Sequence, residues 1–174
     1  IHLGQAARSR QSFAGYRHLS LQARAGKMYV VLGGTGHVGS ALVEALLSRD
    51  ATVTVVSRDK ARARALEERG ARVVTADVRD VDALKEAYRQ GERLFMLNPP
   101  ADPSTDTQTR ERETVANMLR ALPGSGIRKV VAESTFGARP GDMIGDLNVL
   151  FEMEEGLKRS GIPVSIIRAA YYMS

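Results

Sequence analysis

The sequence of 174 residues predicts a doubly wound α/β domain with a parallel sheet, for three reasons. Short apolar segments alternate with helical patterns along the chain, which favours parallel strands joined by helices. The first apolar segment, Met28–Leu32, is uninterrupted by charge, as is typical of a strand buried on both faces. Three glycines at GxxGxxG spacing follow it (Gly33, Gly36 and Gly39), and apolar residues then recur at helical spacing over residues 38–47.

Each glycine has a predicted role in a phosphate-binding turn. Gly33 permits the sharp exit from the strand, Gly36 lets the backbone approach a pyrophosphate, and Gly39 lets the helix pack on the strand. The helix start then offers free N–H groups and the positive end of the helix dipole. Thr35, His37 and Val38 complete the predicted dinucleotide site, with His37 and Val38 contributing backbone N–H groups. A purely structural glycine turn is the alternative.

Composition and charge exclude several classes of function. The formal net charge is +5, but residues 1–27 hold five basic and no acidic residues, so the rest of the chain holds 20 of each. The domain therefore lacks the basic surface expected of a nucleic-acid-binding protein. No apolar run is long enough to cross a membrane. With no cysteine and three scattered histidines, no metal site is predicted, and we expect a cytoplasmic protein.

The basic segment 1–27 is predicted to be a disordered leader or a remnant of upstream translated sequence. The dinucleotide-binding domain is expected to occupy residues 28–174. Because the leader is rich in arginine and free of acid, an organelle transit peptide is the alternative.

The end of the second predicted strand, residues 52–56, bears on which dinucleotide is bound. Arg58 follows this strand, and a basic residue there matches the extra phosphate of NADP, whereas an acid would match the ribose hydroxyls of NAD. Asp59 is the next residue and could serve the ribose instead. The sequence therefore favours NADP and leaves NAD possible. The arginines of the following helix, predicted over 60–69, are read as a solvated face.

Two further strand ends carry candidate ligand contacts. After the third strand (Arg72–Thr75), Asp77 could hydrogen-bond the adenine amino group with Val78 against the ring, or both could be ordinary loop residues. Asp80 is predicted to cap the helix that ends at Tyr88. The fourth strand, 93–97, is broken by Asn98, Pro99 and Pro100 at the edge where open α/β sheets bind ligands, although the prolines could simply end the strand. The remaining predicted elements are a helix over 105–122, a strand over 129–132 followed by Ser134 and Thr135, a helix over 147–159 and a strand over 164–167.

From Met28 onward, the chain resembles the NmrA-like, NAD(P)-binding branch of the atypical short-chain dehydrogenases/reductases. The motifs that carry the resemblance are GGTGHVG (33–39), SR (57–58), ADVRD (76–80), LNPPADPSTD (97–106) and IIRAAYYMS (166–174). The resemblance implies a Rossmann-type domain that binds a nicotinamide dinucleotide through the glycine loop. It places Arg58 near the ribose phosphate, Asp77 and Val78 at the adenine, and residues 98–100 beside the cofactor.

The sequence departs from this family at the catalytic residues. Better-known short-chain dehydrogenases use a YxxxK pair, which is absent here, and Leu150 stands where relatives would place the lysine. Ser134 is the candidate contact to the nicotinamide or to a substrate carbonyl. Phe136 stands near the position where some relatives carry an aromatic hydroxyl. Tyr171 and Tyr172 could line the nicotinamide pocket or pack in the core. Two functions stay open: an NADP-dependent quinone or carbonyl reductase, or a non-catalytic NAD(P)-sensing regulator acting through a protein partner.

The resemblance also implies a longer chain. Relatives continue past the sixth strand with elements that build most of the substrate pocket, so we expect a truncated domain. Its last strand would leave an apolar edge with Ile166 and Ile167 exposed, which is a template for self-association. The alternative is that neighbouring helices shield this edge and keep the chain monomeric.

Overall fold

The computed structural model describes residues 27–142 and 144–170. The strands in this part of the chain are β1 (Met28–Leu32), β2 (Thr52–Ser57), β3 (Arg72–Thr75), β4 (Arg93–Met96), β5 (Lys129–Thr135) and β6 (Val164–Ala169). The helices are α1 (His37–Leu47), α2 (Lys60–Glu68), α3 (Val81–Tyr88), α4 (Thr107–Arg120) and α5 (Asp146–Arg159). The predicted leader lies outside the described residues except for Lys27, and so do Tyr171 and Tyr172.

The strands form one parallel sheet in the order β3-β2-β1-β4-β5-β6. β1 lies at the centre, where Tyr29 to Val31 pair with both β2 and β4. From β1 the chain adds β2 and then β3 on one side of the sheet. It then crosses back and adds β4, β5 and β6 on the other side. This reversal opens a crevice at the carboxyl ends of β1 and β4, where sheets of this kind bind ligands. The predicted doubly wound parallel sheet is confirmed.

Two apolar cores cover the two faces of the sheet. Successive residues of β1 point to opposite sides, so Val30 joins one core and Val31 the other. The core around Val31 includes Val43 of α1 and Leu66 of α2. The larger core around Val30 receives side chains of the other three helices, α3, α4 and α5. Helices on both faces explain why the strands read as continuous apolar runs rather than alternating ones.

Element boundaries differ from the sequence predictions by a few residues. β1 and β3 have the predicted bounds, whereas β5 and β6 are longer, so Ser134 and Thr135 lie inside the end of β5. Tertiary pairing explains the extension, because residues 130–135 pair in register with residues 164–169. α4 begins at Thr107 rather than at residue 105, since the Asp106 side chain accepts the N–H of Thr109 and caps the helix there.

β6 is the last strand of the sheet in the described part of the chain, and its outer side chains are partly uncovered. Ile167 is 54% exposed, as the sequence predicts, whereas Ile166 is half-buried. Phe136, just after β5, is 79% exposed. Self-association through this edge stays a prediction. Among the described residues, no helix is both long and apolar enough to span a membrane.

Candidate cofactor-binding site

The glycine loop between β1 and α1 is closed by contacts between backbone atoms. Gly33 has φ +66, a conformation that favours glycine, and its carbonyl accepts the N–H of Gly36 at 2.9 Å. A Cβ on Gly39 would lie 2.2 Å from the Gly33 carbonyl oxygen, so strand and helix meet backbone to backbone. A Cβ on Gly36 would meet only that same oxygen, at 3.3 Å. Gly33 and Gly39 are therefore required by the fold, whereas a Cβ on Gly36 would crowd one backbone oxygen and otherwise face open space at the helix start.

The start of α1 differs from the starts of the next three helices. Asp59, Asp80 and Asp106 cap α2, α3 and α4 by accepting backbone N–H groups, whereas Gly36 brings no side-chain cap to α1. The N–H groups of His37 and Val38 belong to the first turn, where the helix itself offers no acceptor. A phosphate group would accept them and meet the positive end of the helix dipole. The open space at Gly36 and the uncapped helix together fit a pyrophosphate.

A cavity of about 450 Å³ lies beside the glycine loop, at the ends of β1, β2 and β3. Three arginines line it: Arg58 after β2, Arg62 in the first turn of α2, and Arg79 after β3. Gly33, Thr35, Asp77, Val78 and Pro99, all singled out in the sequence, line the same cavity. The structure thus brings most of the predicted contacts together around a basic pocket, which we call the basic cavity.

Asp59, the alternative ribose ligand, is engaged in the helix cap. Its carboxylate accepts the N–H groups of Ala61 at 2.8 Å and Arg62 at 3.4 Å. Its backbone N–H and carbonyl are both bonded to the Ser57 hydroxyl. These bonds hold the segment from Arg58 to Arg62, whose two arginines and Asp59 all line the basic cavity. The geometry therefore favours the interpretation in which Arg58, rather than Asp59, meets the ligand.

Asp77 is tied to the neighbouring Arg79. The guanidinium donates to the Asp77 carboxylate, with Nη2 2.6 Å from Oδ2, and the backbone N–H of Arg79 donates to Oδ1 at 2.9 Å. The side-chain hydrogen bond from Arg79 outweighs partial burial and holds the pKa of Asp77 below its usual value. Asp77 is therefore a carboxylate acceptor at neutral pH, as a contact to an adenine amino group requires.

A second cavity, of about 540 Å³, lies at the ends of β4, β5 and β6, and we call it the acidic cavity. Asn98 and Pro100 line this cavity, whereas Pro99 lines the basic one, so the loop after β4 borders both. The Oδ1 atom of Asn98 is buried and has no hydrogen-bond partner in the described structure. It is a buried acceptor whose hydrogen-bonding capacity is unsatisfied in the described structure. Other residues that line the cavity are Leu97, Glu111, Glu133, Ser134, Asp146 and Leu150.

Ser134 lines the acidic cavity, but its hydroxyl proton is donated to a buried carboxylate rather than into the cavity. Its hydroxyl donates to Glu154 at 2.6 Å, and Arg168 donates to the same carboxylate at 2.9 and 2.7 Å. Burial alone would raise the pKa of Glu154, but the hydrogen bonds from Arg168 and Ser134 outweigh it and lower that pKa. With Glu154 ionised, Ser134 must be the donor. It therefore faces a ligand as a hydrogen-bond acceptor rather than as a donor to a carbonyl.

The predicted departure from the family appears in the geometry. Leu150 lines the acidic cavity at the position where the resemblance implies a lysine, so an apolar side chain stands there. The side chain of Phe136 is not buried, since 79% of its surface is exposed. No group of three or more His, Cys, Asp or Glu residues in the described ranges is arranged to hold a metal ion.

The sequence analysis missed three groups of this site: Arg62, Glu111 and Glu154. The carboxylates had a detectable signal, because each occupies an apolar helical stripe. Glu111 is spaced with Val115 and Met118 of α4, and Glu154 with Leu150 and Leu157 of α5. Both are buried, at 7% and 1% exposure. A carboxylate in a buried stripe needs a partner, which marks it for attention.

Comparison with known proteins agrees with this geometry. A family model described as NAD(P)H-binding matches residues 33–173. An NAD(P)H azoreductase of Xenophilus azovorans is 26% identical over 146 residues, which cover 84% of this chain and 49% of the azoreductase. This chain thus spans about half of that relative's length.

Two solved structures share the fold. Triphenylmethane reductase of Citrobacter sp., complexed with NADP(H), superposes with a TM-score of 0.73 at 22% identity, covering 83% of this chain and 50% of that one. An NADPH-dependent quinone oxidoreductase of Escherichia coli, complexed with NADPH, has a TM-score of 0.68 at 25% identity, with the same coverage of 83% and 50%.

Proposed function

The chain belongs to the NAD(P)H-binding family, and we propose that it is an NADP-dependent oxidoreductase of the quinone or carbonyl reductase type. Within the family we propose the NmrA-like branch, on the motifs GGTGHVG, ADVRD and LNPPADPSTD. A cytoplasmic location is part of the same proposal.

One observation carries the choice of NADP: Arg58 and Arg62 border the basic cavity beside the glycine loop, while Asp59, which borders the same cavity, uses its carboxylate to cap α2. A guanidinium group matches a phosphate in geometry and charge. In this proposal Gly33, Thr35, Gly36, His37 and Val38 hold the pyrophosphate, Arg58 and Arg62 hold the ribose phosphate, and Asp77 and Val78 hold the adenine.

The acidic cavity would then receive the nicotinamide and the acceptor. The reduced dinucleotide supplies a hydride when bound. Asn98 and Ser134 offer acceptor oxygens to the N–H groups of its carboxamide, because the Oδ1 of Asn98 is unpartnered and the Ser134 proton is donated to Glu154. Pro99 and Pro100 would hold the loop between the two cavities. The names of the similar proteins, an azoreductase and a quinone oxidoreductase, support an electron-poor acceptor.

A second candidate is a non-catalytic sensor of NAD(P) that acts through a protein partner. The observation that favours it is Leu150, whose apolar side chain in the acidic cavity can neither hold a ribose nor tune a proton donor. Oxidation of NADPH by the purified chain with a panel of quinones and aldehydes distinguishes the two. Turnover contradicts the sensor, whereas tight binding without turnover supports it.

Binding itself is tested at Gly36. The Gly36→Val variant should lose measurable NADP⁺ binding in calorimetry, because its side chain enters the space left for the pyrophosphate. Its Tm should fall only modestly, since a Cβ there crowds one backbone oxygen, at 3.3 Å, and valine is a poorer N-cap than glycine.

A matched control for this variant lies at the other end of α1. Ser48→Ala removes only a hydroxyl that donates to the Ala45 carbonyl, so NADP⁺ affinity should not change. Undiminished NADP⁺ affinity in Gly36→Val would show that the dinucleotide does not bind at the glycine loop.

A further inference from the structure

Two carboxyl groups from different helices meet in the wall of the acidic cavity. Glu111 is on α4 and is only 7% exposed, whereas Asp146 is the first residue of α5 and is exposed. Both line the cavity, and the proximity of Asp146 contributes to a raised pKa of Glu111. The pair therefore connects the interior of the cavity to solvent.

A hydrogen bond between two carboxyl groups needs a proton on one of them. Burial, followed by the Asp146 contact, raises the pKa of Glu111 above its usual value, against the opposing effect of the Ala101 N–H, which donates at 3.0 Å. Glu133 of β5 adds a further acidic residue to the same cavity. Glu111 therefore keeps its proton to a higher pH than an ordinary glutamate does.

The cations on the elements around Glu111 are paired with other acids. Arg110 lies beside Glu113 on α4, with Nη1 3.1 Å from Oε2. Arg112 binds Glu152 at 2.8 Å, and Arg168 binds Glu154 at 2.7 Å. Because these three arginines pair with other acids, none of them in the described structure forms an ion pair with Glu111 or Asp146 that would lower the pKa of Glu111.

We propose that Glu111 is the general acid of the reductase reaction and that Asp146 relays protons to it from solvent. This assignment rests on the proposed function. It supplies the proton source that the absent YxxxK pair would otherwise provide. The alternatives in the wall are less suitable, because Leu150 is apolar and the Ser134 proton is held by Glu154.

The step balances for a carbonyl or quinone acceptor. The acceptor receives a hydride, with its two electrons, from the reduced nicotinamide, which is thereby oxidised. Its C=O π bond is lost, and its oxygen takes the proton of the Glu111 carboxyl group to form a new O–H bond. The Glu111 carboxylate left behind regains a proton from water through Asp146.

The protonation state is tested without turnover. In ¹³C NMR of the 174-residue chain with labelled glutamate, titrated from about pH 3 to pH 9, Glu111 should titrate above the ordinary glutamate range. Glu111→Gln assigns the signal, and Asp146→Asn should lower its midpoint. Glu155→Gln, on the outer face of α5, should leave it unchanged. A midpoint for Glu111 at or below the ordinary value would overturn the proposal.

The chemical role is tested by NADPH-driven reduction of a soluble quinone. Glu111→Gln should lower kcat on the order of 100-fold while NADPH affinity stays unchanged, and Glu111→Asp should restore part of the rate. Glu155→Gln should behave as the wild type. Equal rates in wild type and Glu111→Gln would overturn the assignment, as would a wild type that binds NADPH without turnover. Failure of the wild type to bind NADPH would instead contradict the proposed function.

Discussion

The two cavities at the carboxyl edge of the sheet have opposite characters. The basic cavity is bordered by exposed arginines, and Arg58 and Arg62 lie within one short stretch of sequence. The acidic cavity is built from buried groups far apart in the chain, among them Glu111 and Ser134. NADPH has the same asymmetry, with the ribose phosphate at its adenosine end and an uncharged dihydronicotinamide ring at the other. In the proposed function, the basic cavity therefore anchors the cofactor and the acidic cavity carries out the proton chemistry.

The largest effect is expected at the basic cavity. Arg58→Glu should weaken NADP⁺ binding on the order of 100-fold, because a charge-assisted contact is replaced by repulsion, while NAD⁺ binding should change little. Calorimetry with both dinucleotides measures the two losses. Arg64→Gln is the matched control, since Arg64 lies on α2 and pairs with Glu68 away from the cavity. Equal losses for the two dinucleotides would make Arg58 a surface residue only.

The next largest effect is expected on stability, at Glu154, which binds Ser134 in the wall of the acidic cavity. Glu154→Gln should lower the free energy of unfolding by about 2 kcal/mol, because a carboxylate that is 1% exposed loses its charge while Arg168 and Ser134 still point at it. Glu155→Gln, whose exposed partner is Lys158, should cost about 0.5 kcal/mol or less. Urea unfolding measures both variants, and an equal cost would contradict the structural role of Glu154.

The stability lost in Glu154→Gln should become smaller as the pH falls. Because the folded-state pKa of Glu154 is lowered, its stabilisation is present above the unfolded pKa and is lost as the pH falls through the folded value. The gap in stability between the wild type and Glu154→Gln should therefore narrow in acid.

The smallest effect has the opposite pH dependence. The pKa of Glu111 is raised in the fold, so its favourable contribution is full below the unfolded pKa and is lost as the pH rises through the folded value. Glu111→Gln should therefore gain stability over the wild type at about pH 8 relative to about pH 4, as measured by urea unfolding. A difference that does not change with pH would show that Glu111 has an ordinary pKa.

The sequence predicts a structural feature well when the contacts that form it join residues close together in the chain. The turn at Gly33, the close helix–strand contact at Gly39 and the Asp80 cap were predicted correctly, because a tight turn and a helix cap depend on residues a few positions apart. The pairing of Ser134 with Glu154 joins residues twenty positions apart, and it depends on how α5 packs against β5. Local patterns do not encode that packing.

The same limit applies to helix and strand boundaries. The end of β5 depends on its register with β6, so the sequence placed Ser134 beyond the strand rather than within it. In contrast, Glu111 and Glu154 stand in apolar helical stripes, a local signal of buried acids that was present in the sequence but was not used to predict them.

If the basic cavity recognises a ribose phosphate, cofactor fragments with and without that phosphate should differ in affinity. Affinities of the 174-residue chain for 2′,5′-ADP and for 5′-AMP isolate this cavity from the nicotinamide end. The account predicts that 2′,5′-ADP binds at least about tenfold more tightly, and that Arg58→Gln removes most of this preference. Equal affinities of the wild type for the two fragments would contradict it.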